Sequence, residues 1–249
     1  MFVFKKQKIS ANIIQVILFF IFFLGIVLSG NRMPLLIFIF TIFLILLFQK
    51  NLRKLIFPLF TIILIIFFLF YKFNFQIKNN FTSFYIQTSK IFVYASNRDF
   101  NNENAPQYLK EFSTFYETWL MNKYIGGGIK NFRYYCHERP NINKNTKFVC
   151  NMHPHNYYLE ILTESGVIGF IIILMIFSLI MYLSLIKKYF TKSNLKNINI
   201  IIPFIFLFIV EIFPIKSTGS FFTTGNTTYL FFLIAVLIGL SRREKNIEK

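Results

Sequence analysis

Residues 167–186 read VIGFIIILMIFSLIMYLSLI, a run of twenty residues without a charged side chain. About twenty apolar residues in a helix are needed to cross the hydrocarbon core of a bilayer. The run therefore predicts a transmembrane helix, and it decides the fold class because soluble domains rarely contain such long apolar runs. The composition agrees, since 55% of the 249 residues are hydrophobic and 36 of them are Phe.

Five further apolar runs complete the pattern. We predict six spans, at residues 11–29, 34–48, 55–71, 167–186, 197–214 and 227–241. The second and the last are shorter than a usual span. The first follows a basic segment but is not followed by a small-residue cleavage site, so we expect an anchor. The predicted fold is an all-α integral membrane protein with about six transmembrane helices and one long extramembrane segment that contains short helices.

The basic residues give the orientation. Of the formal net charge of +17, much comes from Lys and Arg clusters beside the apolar runs, at residues 5–8, 50–54, 187–196 and 242–249. The positive-inside rule places these clusters and both termini in the cytoplasm of a bacterium, with the long segment 72–166 in the periplasm. No nucleic-acid-binding module is recognisable, so we expect the bilayer as a partner and no nucleic acid.

The chain then divides into three parts. Residues 1–71 hold three spans, residues 72–166 form the periplasmic part, and residues 167–249 hold the other three spans. Within the periplasmic part, the apolar pattern of residues 105–124 predicts a helix that ends at Ile125 and the glycines after it. A second helix is expected to start near residues 154–156 and to enter the fourth span without a break.

The most reactive side chains of the periplasmic part lie in the stretch His153-Pro154-His155-Asn156. Asn is a favoured residue at the start of a helix, which places His155 at the N-terminus of the helix that enters the membrane. The positive end of a helix disfavours an imidazolium, so His155 would be neutral and able to act as a base. The alternative is that both histidines are interfacial surface residues without a chemical role.

Positively charged side chains on the same face suit an anion. Arg32 lies in a short polar turn, where it is either a membrane anchor or a ligand for a phosphate group. Gly126–Gly128, followed by Arg133, form either an anion-binding backbone nest or a plain tight turn. Glu211, near the outer end of the fifth span, is a functional carboxylate, a snorkelling acid or a partner for Lys216.

Two further predictions concern the two cysteines and the residue types that bind metals. Cys136 and Cys150 either form a disulfide, which the periplasm would permit, or remain two free thiols. His137, Glu138, His153 and Glu160 lie near one another in the sequence but lack the spacing of a metal motif, so no metal site is predicted.

Residues 153–169, HPHNYYLEILTESGVIG, resemble a signature of the O-antigen ligase and polymerase family. The pattern H-N-x9-G-x-x-G is met by His155, Asn156, Gly166 and Gly169. The longer stretch also resembles the family's box and includes His153 as a supporting residue whose role stays open.

Two weaker resemblances stand in the expected order. Ser29–Arg32 is similar to a Ser-Arg turn of the family, and Trp119 followed by residues 125–132 is similar to its Trp…GxGxxNF segment, in which Gly126 and Gly128 are the glycines.

The resemblance implies a glycosyltransferase that uses a polyprenyl-diphosphate-linked glycan as donor, at the periplasmic face of the inner membrane, without a metal or cofactor. The acceptor would be the lipid A core for a ligase or a growing polysaccharide for a polymerase. His155 would be the catalytic base and Arg32 would bind the donor diphosphate. A second family Arg is absent from residues 112–117, and Arg133 or Arg98 would replace it.

The resemblance covers about residues 30–240 and corresponds to the C-terminal portion of the family's usually longer chains. One alternative is therefore an inactive fragment of such an enzyme. Another is a non-catalytic membrane transport or scaffold subunit. Transporters usually carry polar or Gly/Pro-broken residues within several spans, whereas the spans here are nearly pure Phe, Ile and Leu. This favours chemistry at the outer interface.

Overall fold

The computed structural model describes residues 9–48, 53–97, 104–139, 150, 155–186, 198–214, 216 and 219–243. All the regular elements in these ranges are helical, which confirms the all-α prediction. The helices are α1 Ile9–Leu28, α2 Arg32–Phe48, α3 Arg53–Phe73, α4 Phe75–Ser96, α5 Gln107–Met121, α6 Phe132–Tyr135, α7 Tyr157–Met181, α8 Ile198–Glu211 and α9 Thr224–Arg243. A 3₁₀ turn, Cys136–Glu138, follows α6, and a π turn, Tyr182–Ile186, follows α7.

Each of the six predicted apolar runs is helical, but the helices differ in length. The segments Tyr157–Ile186 and Thr224–Ser241 are each long and apolar enough to cross a membrane. The pair Phe57–Phe73 and Phe75–Tyr94 passes the same test together, although it is bent by 101°. The helices Arg32–Phe48 and Ile200–Glu211 are apolar but shorter. Two or three spans are therefore supported by length, and six crossings stay a prediction.

The chain forms two compact units, Met1–Thr88 and Ser89–Lys249. In the first unit, apolar side chains of α1 to α4 share one core, with Phe23 and Ile63 almost fully buried. The bend between α3 and α4 lies at Asn74, whose Oδ1 accepts from the N–H of Ile77 at 3.1 Å. A side-chain acceptor at the start of a helix satisfies a free N–H, so Asn74 lets α4 begin in a new direction.

In the second unit, α5 packs against α7 and α8 packs against α9. The Phe115 ring of α5 stacks on the Phe132 ring of α6, with 4.0 Å between the centroids. The predicted helix at residues 105–124 is present as α5. Of its apolar residues, Leu109 and Phe115 are buried, whereas Tyr108, Phe112, Tyr116 and Leu120 are exposed. The helix ends at Met121, earlier than predicted, because Asn122 has left helical geometry (φ −143°, ψ 71°).

The prediction that α7 enters its apolar run without a break is wrong. Gly166 has φ 66° and ψ −171°, which divides the helix into a polar first part and an apolar second part. Its φ lies in the left-handed region that favours glycine. The cause of the break is a loop that bonds to α7 at this point.

Candidate functional site

The glycine-rich loop after α5 joins the break in α7 through main-chain atoms. In an unbroken helix, each N–H would donate to the carbonyl four residues earlier. Here the carbonyls of Thr163 and Glu164 accept from the loop, and the N–H groups that would have reached them donate to loop carbonyls. We call this arrangement the glycine clasp. Its four hydrogen bonds run from Gly127 N to Thr163 O (2.8 Å), Gly128 N to Glu164 O (2.9 Å), Val167 N to Lys123 O (2.9 Å) and Ile168 N to Tyr124 O (3.2 Å).

Two glycines make this close approach possible. A Cβ on Gly166 would lie 2.2 Å from the carbonyl oxygen of Tyr124, and a Cβ on Gly126 would lie 2.4 Å from the carbonyl carbon of Glu164. Both glycines also have positive φ, of 66° and 73°. Since the obstacle in each case is backbone, a side chain cannot be accommodated by a rotamer change. The two segments whose glycines carry the resemblance therefore form one structural unit, which the sequence alone did not predict.

The clasp also determines whether the amides of Gly126–Gly128 can bind an anion. The N–H of Gly126 donates to Asn122 O at 2.9 Å, and the N–H groups of the next two glycines are taken by α7. None of these three amides is left for an anion, so the alternative of an anion-binding nest is wrong and the segment is a structural turn.

Side chains hold the loop in this position. Trp119 donates from Nε1 to Lys123 O at 3.1 Å, and Asn131 donates from Nδ2 to Gly127 O at 2.8 Å. Glu164 is 2% exposed, and its Oε2 accepts from the N–H of Lys130 at 2.7 Å. Its other oxygen has no hydrogen-bond partner in the described part of the chain. Sequence reasoning missed Glu164 because its partner lies 34 residues away.

His155 is the residue immediately before Asn156, the N-cap of α7. Asn156 caps the helix, as its residue type predicted: Oδ1 accepts from Tyr158 N at 3.0 Å and from Leu159 N at 3.2 Å. The amide nitrogen of Asn156 donates to Pro214 O at 2.7 Å, which anchors the cap to the segment after α8. His155 itself is exposed. His153 and Pro154 lie outside the described residues.

A polar cluster adjoins this cap. The Tyr157 hydroxyl donates to Glu211 Oε1 at 2.5 Å, and Lys216 Nζ lies 2.6 Å from the same oxygen, so Glu211 is a partner for Lys216, one of the alternatives that the sequence left open. The ammonium also lies 4.9 Å from the centre of the Tyr157 ring. Tyr157, two residues after His155 in the chain, thus brings a hydroxyl, a carboxylate and an ammonium together at the first residue of α7. Tyr157 was not singled out from the sequence, because its partners come from a distant segment.

Glu160, one turn into α7, is 1% exposed and binds the turn that leads into α9. Its carboxylate accepts from the Ser220 hydroxyl and from the N–H of Phe221. Among the residues that the structure describes, no three His, Cys, Asp or Glu side chains converge as a metal site would require. The Glu160 carboxylate thus links the first turn of α7 to the turn before α9.

Cys136 and Cys150 form a disulfide, with 5.8 Å between their Cα atoms. Beside it lies Arg139, which is 3% exposed and donates from Nη1 to Cys136 O at 2.9 Å. Arg139 Nε is 3.3 Å from Glu117 Oε2, so the guanidinium joins the disulfide to α5. Burial lowers the pKa of Arg139, and the carboxylate of Glu117 opposes this shift.

The arginines predicted to bind the donor have different neighbouring side chains. Arg133 is exposed, and its guanidinium lies 4.7 Å from the centre of the Tyr134 ring. Arg32 begins α2 in the first unit, where Nη1 donates to Gln87 Oε1 at 2.9 Å and the guanidinium lies 5.5 Å from the centre of the Phe84 ring. Arg98 lies outside the described residues.

Comparison with known proteins adds the family. A family model described as O-antigen ligase matches residues 17–174, which is more than half of the chain. No curated protein and no solved structure matches the chain. The matched range includes both sides of the glycine clasp, together with Arg32 and His155. The family is one of O-antigen ligase- or polymerase-type glycosyltransferases that act on polyprenyl-linked glycans. The chain therefore belongs to the O-antigen ligase family.

Proposed function

We propose that the chain is a glycosyltransferase that moves a glycan from a polyprenyl-diphosphate carrier to an acceptor sugar. The observation that carries this proposal is the position of His155, exposed at the start of α7 and held there by the Asn156 cap. A base must lie within hydrogen-bond reach of the proton that it removes. An exposed imidazole on a fixed helix end meets this requirement for an acceptor that arrives from the aqueous side.

The reaction would be one displacement. An acceptor hydroxyl oxygen attacks the anomeric carbon of the donor glycan, and the bond from that carbon to the diphosphate oxygen breaks. His155 takes the hydroxyl proton, and the polyprenyl diphosphate leaves with the bonding electrons. The acceptor is the lipid A core for a ligase or a growing polysaccharide for a polymerase.

The leaving diphosphate needs positive charge, because its negative charge grows in the transition state. In this proposal Arg32 and Arg133 supply it without a metal or another cofactor. A guanidinium binds phosphate oxygens through two parallel hydrogen bonds, which a lysine cannot do. Arg32 is held by Gln87, so its side chain is already oriented before the donor binds.

The site would face the periplasm of a bacterial inner membrane, with both termini in the cytoplasm. The disulfide between Cys136 and Cys150 supports this side, because disulfides persist in the periplasm and are rare in the cytosol. The basic clusters on the opposite loops support it independently.

The test is His155→Ala, assayed for glycan transfer from a polyprenyl-diphosphate donor by the purified protein. We expect transfer to fall by about 10²- to 10⁴-fold, the usual contribution of a general base. His137→Ala is the matched control, because His137 is also exposed but lies in the 3₁₀ turn after α6 and not in the stretch that carries the family signature. Equal transfer by the unmodified protein and the His155→Ala variant would rule out the base role.

A second test concerns the donor. Arg32→Lys keeps the charge but loses the paired hydrogen bonds, so we expect the KM for the donor to rise about tenfold or more. Arg53→Lys is the control, because the Arg53 guanidinium donates to the carbonyls of Leu46 and Leu47. An unchanged KM in the Arg32→Lys variant would favour a membrane-anchor role for Arg32.

A further inference from the structure

The clasp loop and the short helix α6 that follows it carry large, exposed apolar side chains. Tyr124, Ile125, Ile129 and Tyr134 are 72%, 68%, 64% and 62% exposed. We call these four residues the apolar rim. Single exposed apolar residues are ordinary on protein surfaces, but several on one short loop mark a surface that contacts a membrane or another partner.

The glycine clasp places the apolar rim relative to α7. The carbonyls of Lys123 and Tyr124 accept from Val167 and Ile168, which are the first two residues of the apolar run. Tyr124, the first residue of the rim, is therefore hydrogen-bonded to α7 at the point where the helix becomes apolar. If α7 crosses the bilayer, the rim lies at the level of the lipid headgroups, where Tyr side chains are enriched.

Positive charge is interleaved with the rim. Lys123, Lys130 and Arg133 are all exposed, and each is next to a rim residue in the sequence. The described part of the loop between Asn122 and Tyr134 carries no acidic side chain. A surface that combines aromatic and aliphatic groups with cations complements a membrane whose headgroups are anionic.

We propose that the apolar rim and its lysines form a docking surface for anionic phospholipid headgroups. Ile125 and Ile129 would enter the boundary between headgroups and acyl chains, while Lys123 and Lys130 would bind the headgroup phosphates. The surface would hold the loop, and through the clasp the start of the apolar part of α7, at a fixed depth in the membrane. This proposal rests on the membrane placement given above and not on the transfer reaction.

The chain contains its own probe, because Trp119 is its only tryptophan. Its indole donates to Lys123 O at 3.1 Å and so reports on the loop. The experiment places the full chain in nanodiscs of phosphatidylcholine and phosphatidylglycerol, with bromine on the acyl chains of one lipid or the other. Brominated acyl chains quench a nearby indole, so the extent of quenching shows which lipid surrounds the loop.

We expect brominated phosphatidylglycerol to quench Trp119 at least about twofold more than brominated phosphatidylcholine at equal content, since each surface cation contributes roughly fivefold to anionic-lipid binding. The double change Lys123→Gln with Lys130→Gln should remove this preference. The double change Ile125→Ser with Ile129→Ser should weaken quenching by both lipids. Lys78→Gln with Lys90→Gln, which removes two exposed lysines of α4, is the charge-matched control and should change neither result.

Equal quenching by the two lipids in the unmodified chain would overturn the recognition of anionic headgroups. No quenching by either lipid would overturn membrane contact, as would be found if the rim docked a protein. Neither outcome depends on glycan transfer. Conversely, inactivity of the protein in the transfer assay would contradict the proposed enzyme and leave the quenching result unchanged.

Discussion

Gly166 is the residue on which the clasp depends most. A side chain at this position would meet the carbonyl oxygen of Tyr124 at 2.2 Å while the backbone is held at φ +66°. A backbone conformation with this φ and ψ costs a residue other than glycine about 1–3 kcal/mol by itself. The backbone contact adds to this cost, because relief would require breaking clasp hydrogen bonds.

We therefore expect Gly166→Ala to lower the free energy of unfolding by more than about 2 kcal/mol. The measurement is thermal unfolding of the detergent-solubilised protein. Gly239→Ala is the control, since a Cβ there meets nothing within 4 Å and the residue lies inside α9. That variant should be stabilised by about 0.5–1 kcal/mol. Similar melting temperatures for the two variants would show that the clasp does not hold the fold.

Single residues also show where prediction from sequence succeeds. The capping role of Asn156 follows from its residue type, because a cap bonds to N–H groups two and three residues later. The break at Gly166 does not follow, since a Gly within an apolar pattern is compatible with a continuous helix. Its cause, the loop carbonyl of Tyr124, lies 42 residues earlier in the chain, and periodicity carries no information about such partners.

At the scale of elements, α5 is tied to the disulfide by an ion pair. The side chain of Arg139 is 1% exposed and that of Glu117 is 19% exposed, so this ion pair is largely shielded from solvent. Removal of one member of a buried pair leaves an uncompensated charge, which typically costs 3–5 kcal/mol. Glu117 also accepts from Ser113 Oγ at 3.4 Å, within α5 itself.

We expect Glu117→Gln to destabilise the protein by about 3 kcal/mol, measured as a loss of thermal stability. Glu111→Gln is a suitable control on the same helix, because Glu111 accepts a hydrogen bond from the Gln107 amide at the surface. The control should change stability by less than about 0.5 kcal/mol. A small effect of Glu117→Gln would indicate that the disulfide alone positions Arg139.

The elements differ in how far their sequences predicted them. Helices α5, α8 and α9 follow from their apolar patterns, whereas α4 was not predicted as one helix. Its apolar residues, including Phe81 and Phe84, are interrupted by Asn, Thr and Ser, which have moderate or low helix propensity. Packing supplies what propensity lacks, since Phe81 contacts Phe67 of α3 edge to face at 5.0 Å.

At the scale of the whole molecule, the orientation is open to a direct test. A reporter that is active only in the periplasm, inserted after Lys147, should be active, although this position lies outside the described residues. The same reporter fused after Lys249 should be inactive, because the basic C-terminus is expected in the cytoplasm. Activity in the reverse pattern would contradict the orientation and the proposed mechanism together.

The class and the family of the whole molecule could be predicted, whereas the number of crossings could not. Composition and run length were enough to predict an all-helical membrane protein. The number of crossings depends on how each short helix sits in the bilayer. Arg32–Phe48 and Ile200–Glu211 are too short to decide this by length. The 101° bend at Asn74 also makes α3 and α4 either one broken span or a re-entrant pair.

The glycine clasp limits which residues of such chains can change in sequence during evolution. Its bonds use main-chain donors and acceptors, so replacement of Lys123, Tyr124 or Thr163 by most residues leaves the same atoms in place. Mutation is restricted most strongly at Gly126 and Gly166, where backbone touches backbone, and also at Gly128, which has a positive φ. Descendants of one ancestor can therefore alter every outward side chain of the loop while they inherit the same join between loop and helix.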